Sequence, residues 1–399
     1  MNILHIIDSM DPAMGGVCQA VRTIIDSTSV RSNIHNEVVS LDSLEAKFLA
    51  NDSRIIHALG PAKGPWSYSP NLIPWLSDNV GRFNIVIVHG LWQYHTFAIQ
   101  KVLKSQRQNK RLFKVFSMPH GMLDPYFQKA QGRKLKAIRN TVYWKLIENK
   151  LIEQSDGILF TSEDELLLAR EPFKPYSPKS EQVVGLGIVP PPPFDASMSG
   201  AFFDYCPEVI NQEYILFLGR INSKKGVDIL LDAYSKLCIE SKNTENIPRL
   251  VIAGPGLETT YGKMIHHQVT SSPVLTERVH FTGMLSGDSK WGAYYHCSAF
   301  ILPSHQENFG ISVVESLACG KPVLISDKIN IWREILSMNA CFVDSDTVAG
   351  TYSSLSKWCS LSDHEIKVMS ENSYECFNKY FVADSTAERL INFFSSYEQ

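Results

Sequence analysis

Two short apolar runs, residues 299–302 and 323–325, bracket a segment in which Ile311, Val314, Leu317 and Ala318 recur at three- and four-residue spacing. Runs this short and this uniformly apolar read as strands buried on both faces, and the spacing between them predicts a helix with one buried face. Gly310 stands at the helix entrance, Gly320 just past its exit, and Pro322 forbids continuation. The stretch 303–327 is therefore a strand–helix–strand unit. Such a unit demands a parallel sheet covered by helices, and ligands of open parallel sheets bind outside the carboxyl ends of the strands.

The same alternation runs through the rest of the chain. Apolar runs at 3–7, 37–41, 55–59, 85–89, 114–117 and 157–161 are separated mostly by amphipathic segments, which predicts a doubly wound parallel sheet. Four consecutive prolines, Pro190 to Pro193, then precede a Gly- and Ser-bearing stretch, read as a semi-rigid connection. A second alternating pattern follows, with strands at 214–218, 249–253 and 279–282, a helix at 226–238, and shorter helical segments after Asp327. At 399 residues the chain exceeds the size at which one core stops growing. The expected organisation is an N-terminal domain over 1–190, a linker over 191–212 and a C-terminal domain over 213–399, with the last helix a candidate to cross back to the first domain.

Charge and cysteine usage exclude several classes. With 38 basic and 41 acidic residues and a net charge of −3, there is no basic footprint for nucleic acid. The eight cysteines are scattered without a C-x-x-C pair, as expected for reduced, buried thiols of a cytoplasmic protein. The start has no basic n-region, Asp8 interrupts its apolar run, and no window is long and apolar enough to span a membrane. Between Lys129 and Lys150, seven basic residues (Lys129, Arg133, Lys134, Lys136, Arg139, Lys145, Lys150) face one acid, Glu148, while Leu135, Ile138, Val142 and Leu146 fall at helical spacing. Such a helix suits peripheral contact with an anionic membrane face, or equally a solvated face packed on its own domain.

Residues with chemical meaning cluster at predicted strand ends. Glu307 lies in the loop after one strand and Glu315 in the first turns of the following helix. A carboxylate beside a helix entrance accepts hydrogen bonds from hydroxyl groups, while the free backbone N–H groups there suit phosphate. Gly219 and Arg220 end another strand, followed by Lys225 and Gly226 at the next helix, two cations suited to a diphosphate although loop cations are often merely solvated. Gly15 and Gly16 open the first helix, either as an anion-binding turn or an ordinary one. His120 projects after a strand beside Gly121, and His89 and Trp92 sit equivalently after the preceding strand. His120 can serve a ligand or the local backbone, and Trp92 can stack on a sugar or fill the core.

In order, Gly219-Arg220, Lys225-Gly226, Gly254-Pro255-Gly256, Phe281-Thr282-Gly283 and the Glu307–Glu315 unit resemble the C-terminal half of retaining GT-B glycosyltransferases, above all the family-four group with its E-x7-E motif. The Gly15-Gly16 loop and the His120-Gly121 strand end resemble the other half. The resemblance implies an α/β fold of two Rossmann-like doubly wound parallel-sheet domains facing across a cleft. It implies that Arg220 and Lys225 hold the donor diphosphate, Glu315 the ribose, and Glu307 with the backbone of Asn308, Phe309 and Gly310 the transferred sugar. Gly254 belongs to the same nucleotide-sugar site, Gly15 and Gly16 close on the phosphates, and His120 positions the reacting sugar. Asn308 departs from the common form, which has glycine there. The activity implied is transfer of a hexose from a UDP- or GDP-sugar to a saccharide acceptor, lipid-linked or polysaccharide, at the inner face of the cell membrane. No cofactor and no metal are expected, and adjacent His266 and His267 cannot easily share an ion. The rival reading is a non-catalytic nucleotide-sugar-binding regulatory subunit.

Overall fold

The computed structural model describes residues 1–31, 33–105, 111–129, 134–241 and 243–397. They form two compact units, Met1–Gly187 with Ala383–Gln399, and Ile188–Val382. The first unit holds seven parallel strands: β1 (Asn2–Ile6), β2 (His35–Ser40), β3 (Ile55–Ala58), β4 (Ile85–His89), β5 (Lys114–Met118), β6 (Gly157–Phe160) and β7 (Glu181–Val183). Their order across the sheet is β3-β2-β1-β4-β5-β6-β7. All five residues of β4 are buried, as the unbroken run Ile-Val-Ile-Val-His requires of a central parallel strand.

In the second unit six parallel strands, β8 (Tyr214–Leu218), β9 (Arg249–Ala253), β10 (Val279–Gly283), β11 (Ala299–Leu302), β12 (Val323–Ser326) and β13 (Cys341–Asp344), lie in the order β10-β9-β8-β11-β12-β13. In each sheet the order reverses once, between β1 and β4 and between β8 and β11. A crevice opens at the carboxyl ends there, because the connecting helices leave toward opposite faces.

Several bounds differ from the sequence expectation. Residues 191–212, expected as a linker, contain the helix Ala196–Phe203, capped by the Asp195 side chain and burying Met198 and Phe202. It packs so closely on the helix Gly287–His296 that a Cβ at Gly292 would meet the Met198 carbonyl at 2.1 Å. Proline-rich composition marked where the chain leaves the first sheet but hid the helix after it. Strands β7 and β13 were missed, since Glu181-Gln182-Val183 is short and polar and Cys341–Asp344 is a four-residue edge. The segments after Asp327 are longer than expected, including helices Val348–Cys359 and Asp363–Cys376. All eight cysteines are free, and among the described residues no helix is long and apolar enough to cross a membrane.

The last helix, Ala383–Ser395, belongs to the first unit. It buries Ala383, Thr386, Ala387, Leu390, Ile391 and Phe394, one stripe at helical spacing. On β5, Phe116 meets the rings of Phe393, Phe394 and Tyr397 at centroid distances of 5.3, 5.3 and 5.2 Å. Phe394→Ala removes a fully buried ring from this cluster, so the first unit should lose about 3 kcal/mol or more of stability. Urea unfolding would register this as an earlier midpoint, and an unshifted curve would show that the C-terminal helix contributes nothing to the unit.

Candidate functional site

In the second unit the loops after β8 and β11 are sewn together. The Lys224 carbonyl accepts from Ser304 Oγ at 3.0 Å and from the His305 N–H at 2.8 Å. Gly226, in the left-handed conformation with φ 67°, caps the turn Ser223–Lys225 and begins the helix Val227–Glu240. A Cβ at Gly226 would lie 2.3 Å from the Pro303 carbonyl oxygen, so no other residue lets the loops approach this closely. The clasp brings Lys225 Nζ into an ion pair with Glu307 Oε2, both side chains about four-fifths buried.

Glu307 is fixed from its other side as well. Its N–H donates to the Lys328 carbonyl and its carbonyl accepts from the Asn330 N–H, each at 2.9 Å, a single rung of parallel pairing with the loop after β12. Phe309 is buried, packing edge-on against Phe381 at 5.9 Å, and Asn308 Oδ1 accepts from Asn330 Nδ2 at 3.3 Å. Gly310 then caps the helix Ile311–Ala318. Within it, Glu315 Oε1 accepts from Lys290 Nζ at 2.8 Å and Oε2 from the buried Tyr294 hydroxyl at 3.1 Å. Each oxygen keeps a further lone pair, so the carboxylate is oriented rather than consumed. Arg220 stands exposed at the end of β8 and has no ion pair among the described residues. Gly254 (φ 139°) lies against the Gly219 carbonyl, which a Cβ would meet at 2.0 Å, leaving this edge of the sheet bare backbone.

In the first unit the equivalent crevice is built from imidazoles. His5 Nδ1 and His89 Nε2 are 3.0 Å apart, as are His89 Nδ1 and His120 Nε2. Asn36 Oδ1 lies 3.0 Å from His5 Nε2, and His95 Nε2 donates to the His89 carbonyl at 3.0 Å. His5, His89 and His95 are buried, and His120, with φ 52°, is half-buried. Its unusual backbone is secured by Glu165, whose Oε1 accepts from the Gly121 N–H at 2.5 Å while Oε2 accepts from Thr161. Burial lowers His5 and His120 to about 4, and holds His89 well below its ordinary value. Beside them a cavity of about 300 Å³ is lined by residues including Asp8, His89, Trp92, His95 and Arg139. Gly15 and Gly16 stand at the entrance of the helix Gly16–Ser29.

Trp92 is partly buried. Its ring packs among Tyr143, Trp144 and Phe173 at 6.2, 6.5 and 5.4 Å, so much of it serves the core. The Trp92 backbone N–H, with the Thr96 hydroxyl, donates to the fully buried Glu148, whose carboxyl burial pushes up to about 7.

Thus Lys225 with Glu307, and His89 with His120, are direct neighbours, whereas Lys290, Tyr294, His5, Asn36 and Glu148 were not foreseen. His5 did leave a signal, a polar residue inside the run Ile3-Leu4-His5-Ile6-Ile7. Lys290 and Tyr294 left none, lying on an unremarkable helix far from Glu315 in sequence.

The order of both sheets, with this site at the reversal, defines a protein of the GT-B fold. HepE of Anabaena, solved in complex with UDP, superposes with a TM-score of 0.74 at 15% identity, over 99% of this chain and 100% of that one. Residues 207–375, within the second unit, match the family described as glycosyl transferases group 1. An uncharacterized glycosyltransferase of Methanocaldococcus jannaschii is 33% identical over 116 residues, 29% of this chain and 27% of that protein. O-antigen chain mannosyltransferase C of Escherichia coli is 24% identical over 194 residues, 47% of this chain and 48% of its own. The chain thus matches at most about half the length of these two relatives.

The buried histidines make stability depend on pH. Unfolded imidazoles take protons near pH 6.5, whereas those of His5, His89, His95 and His120 in the fold do so only at lower pH. Stability is therefore complete above about pH 6.5 and declines as pH falls toward 4. Glu148 opposes this, taking its proton in the fold near 7 before the unfolded chain does, but one carboxyl is outweighed by four imidazoles. Urea midpoints at pH 7, 6 and 5 should fall in that order, and a constant midpoint would contradict neutral, buried imidazoles.

Proposed function

We propose that the chain is a retaining glycosyltransferase that moves a hexose from a UDP- or GDP-sugar to a saccharide acceptor. The observation that carries this reading is the Lys225–Glu307 pair at the reversal of the second sheet, with the oriented Glu315 one helix turn beyond. Lys225 has three N–H donors and gives one to Glu307, leaving two for diphosphate oxygens, with Arg220 as a second cation. Backbone N–H groups at the entrance of helix Ile311–Ala318 add partial positive charge. Glu315, held by Lys290 and Tyr294, accepts from the ribose hydroxyls, and the remaining oxygen of Glu307 accepts from the sugar.

Transfer breaks the bond between the anomeric carbon and the diphosphate oxygen. Negative charge builds on that oxygen as the bond lengthens, so cations fixed around it stabilise the transition state more than the bound donor. The acceptor oxygen bonds to the anomeric carbon on the face the diphosphate leaves, and its proton passes to the departing phosphate. This assigns charge stabilisation to Lys225 and Arg220, without a metal ion. Turnover distinguishes the enzyme from a nucleotide-sugar-binding regulatory subunit, which would bind the donor and release nothing. Lys225→Ala should reduce transfer about a hundredfold or more, measured as nucleotide released across a panel of donors, whereas Glu315→Ala should mainly weaken nucleotide affinity in calorimetry. A folded Lys225→Ala enzyme of full activity would exclude the role given to the lysine.

For the acceptor we propose a lipid-linked or surface-bound saccharide met at an anionic membrane face. Leu135, Ile138, Val142 and Leu146 are 84, 63, 52 and 60% exposed, a contiguous apolar stripe flanked by Lys134, Lys136, Arg139 and Lys145. Arg133, counted with this basic set, lies outside the described residues. Apolar side chains left in water beside cations match the acyl and phosphate layers of a lipid surface. The protein should sediment with phosphatidylglycerol vesicles and not with phosphatidylcholine ones, and Leu135→Asp with Ile138→Asp should abolish sedimentation without altering thermal stability. Equal recovery with both vesicles would discard the membrane assignment.

A further inference from the structure

The imidazole chain of the first unit has a direction, and the direction can be read from its far end. The Thr28 hydroxyl donates to the Ile24 carbonyl at 2.7 Å. With its one proton committed, Thr28 Oγ1 can only accept from Asn36, 3.0 Å away, so the amide NH2 of Asn36 faces it. The Asn36 carbonyl oxygen therefore faces His5 and accepts from His5 Nε2–H at 3.0 Å. All three linked imidazoles are neutral at pH 7, since burial lowers His5 and His120 to about 4 and holds His89 well below its ordinary value. Each neutral ring has one N–H. His5 Nδ1 is thus an acceptor and His89 Nε2 donates to it; His89 Nδ1 is in turn an acceptor and His120 Nε2 donates to it. The rings lie 18° and 27° from parallel with centroids 5.2 and 5.3 Å apart, an edge-to-edge chain. At its end His120 is left with an unprotonated Nδ1 that has no hydrogen-bond partner among the described residues.

We propose that Asn36, His5 and His89 are positioning residues that lock His120 in the Nε2–H tautomer, presenting Nδ1 as a fixed acceptor for a hydroxyl of the bound hexose. The identity of the ligand rests on the function proposed above; the tautomer does not. A ring free to exchange tautomers would offer the ligand a donor part of the time, which a sugar hydroxyl could also satisfy in another pose. Fixing the acceptor selects one pose. Chains of hydrogen bonds also polarise one another, so the run from Thr28 to His120 strengthens Nδ1 as an acceptor.

The test is nitrogen-15 NMR of the full chain labelled in its histidine rings, in which long-range couplings distinguish protonated from bare ring nitrogens. His120, identified by the signals lost in His120→Phe, should show protonated Nε2 and bare Nδ1. Asn36→Leu removes the acceptor that sets the direction; both tautomers of His120 should then appear, and kcat should fall about tenfold with the donor KM unchanged. Asn36→Asp keeps an acceptor against His5 Nε2 and should restore the single tautomer and the rate. A protonated Nδ1 in the unmodified protein, or a His120 spectrum indifferent to Asn36→Leu, would overturn the relay even if transfer activity were present. Absence of transfer with every nucleotide sugar would instead overturn the proposed function, and the spectrum would still decide the tautomer.

Discussion

The close approach of Gly226 to the Pro303 carbonyl is the contact on which the charged crevice of the second unit depends. Strands β8 and β11 are neighbours, but the loops that leave them lead to helices on opposite faces and would otherwise diverge. The bare Cα of Gly226, with the Lys224 carbonyl holding Ser304 and His305, keeps the loops in contact for several residues past the strand ends. Lys225 and Glu307, 82 residues apart in sequence, meet as a consequence. The second clamp on Glu307, through Lys328 and Asn330, ties the same carboxylate to β12. Three strand ends thus converge on one ion pair, and none of the three attachments uses a side chain of the pair itself.

In the first unit, parallel register does what a loop clasp does in the second. His5 pairs in register with Ile87, and His89 is two residues further along the same strand, hence on the same face of the sheet. His89 pairs in register with Met118, and His120 follows it by two. Two adjacent central strands therefore each present a histidine to one side, and the turn that follows β5 adds His120, stepping forward along the carboxyl edge. Burying polar rings in such a place is costly unless each finds a partner, and here each nitrogen between Asn36 and His120 has one. The cost of exclusion from water also keeps the rings neutral, and neutrality is what gives the hydrogen bonds a single direction.

Much of this was legible in the sequence because parallel α/β sheets leave a strong imprint. Runs such as Ile85–His89 and Ala299–Leu302 are buried on both faces and carry no alternation, so they could be located directly, and the polar residues at their ends follow from topology. The charged residues Arg220, Lys225, Glu307 and Glu315 stood out because they interrupt that imprint at strand ends. What could not be read was pairing across distance. Nothing in the neighbourhood of Lys290 or Tyr294 points to Glu315, and only folding brings Asn36 beside His5. Edge strands β7 and β13 escaped for a different reason: they are short, and β7 is polar, so they lack the apolar density that marks the central strands. The helix Ala196–Phe203 was hidden by composition, since the prolines before it dominate the local signal.

The crevices of the two units hold their polar groups in place by opposite means. The Lys225–Glu307 pair is about four-fifths buried, so the cost of desolvating two charges offsets much of their attraction and the pair is not a main source of stability. Under the function proposed above, its value lies in holding a cation and a carboxylate in place before the ligand arrives, with the reorganisation already done when charge develops. A charge used in this way must remain partly solvated, and both side chains retain some exposure. The histidine chain is enclosed up to its last ring; desolvation keeps it uncharged at neutral pH, and the hydrogen bond to Asn36 gives it its order. Under the proposed roles, charge at a departing leaving group and fixed neutral polarity at an oriented hydroxyl call for different degrees of burial. Those differing demands match one crevice built from partly buried loops and the other from the interior of a sheet.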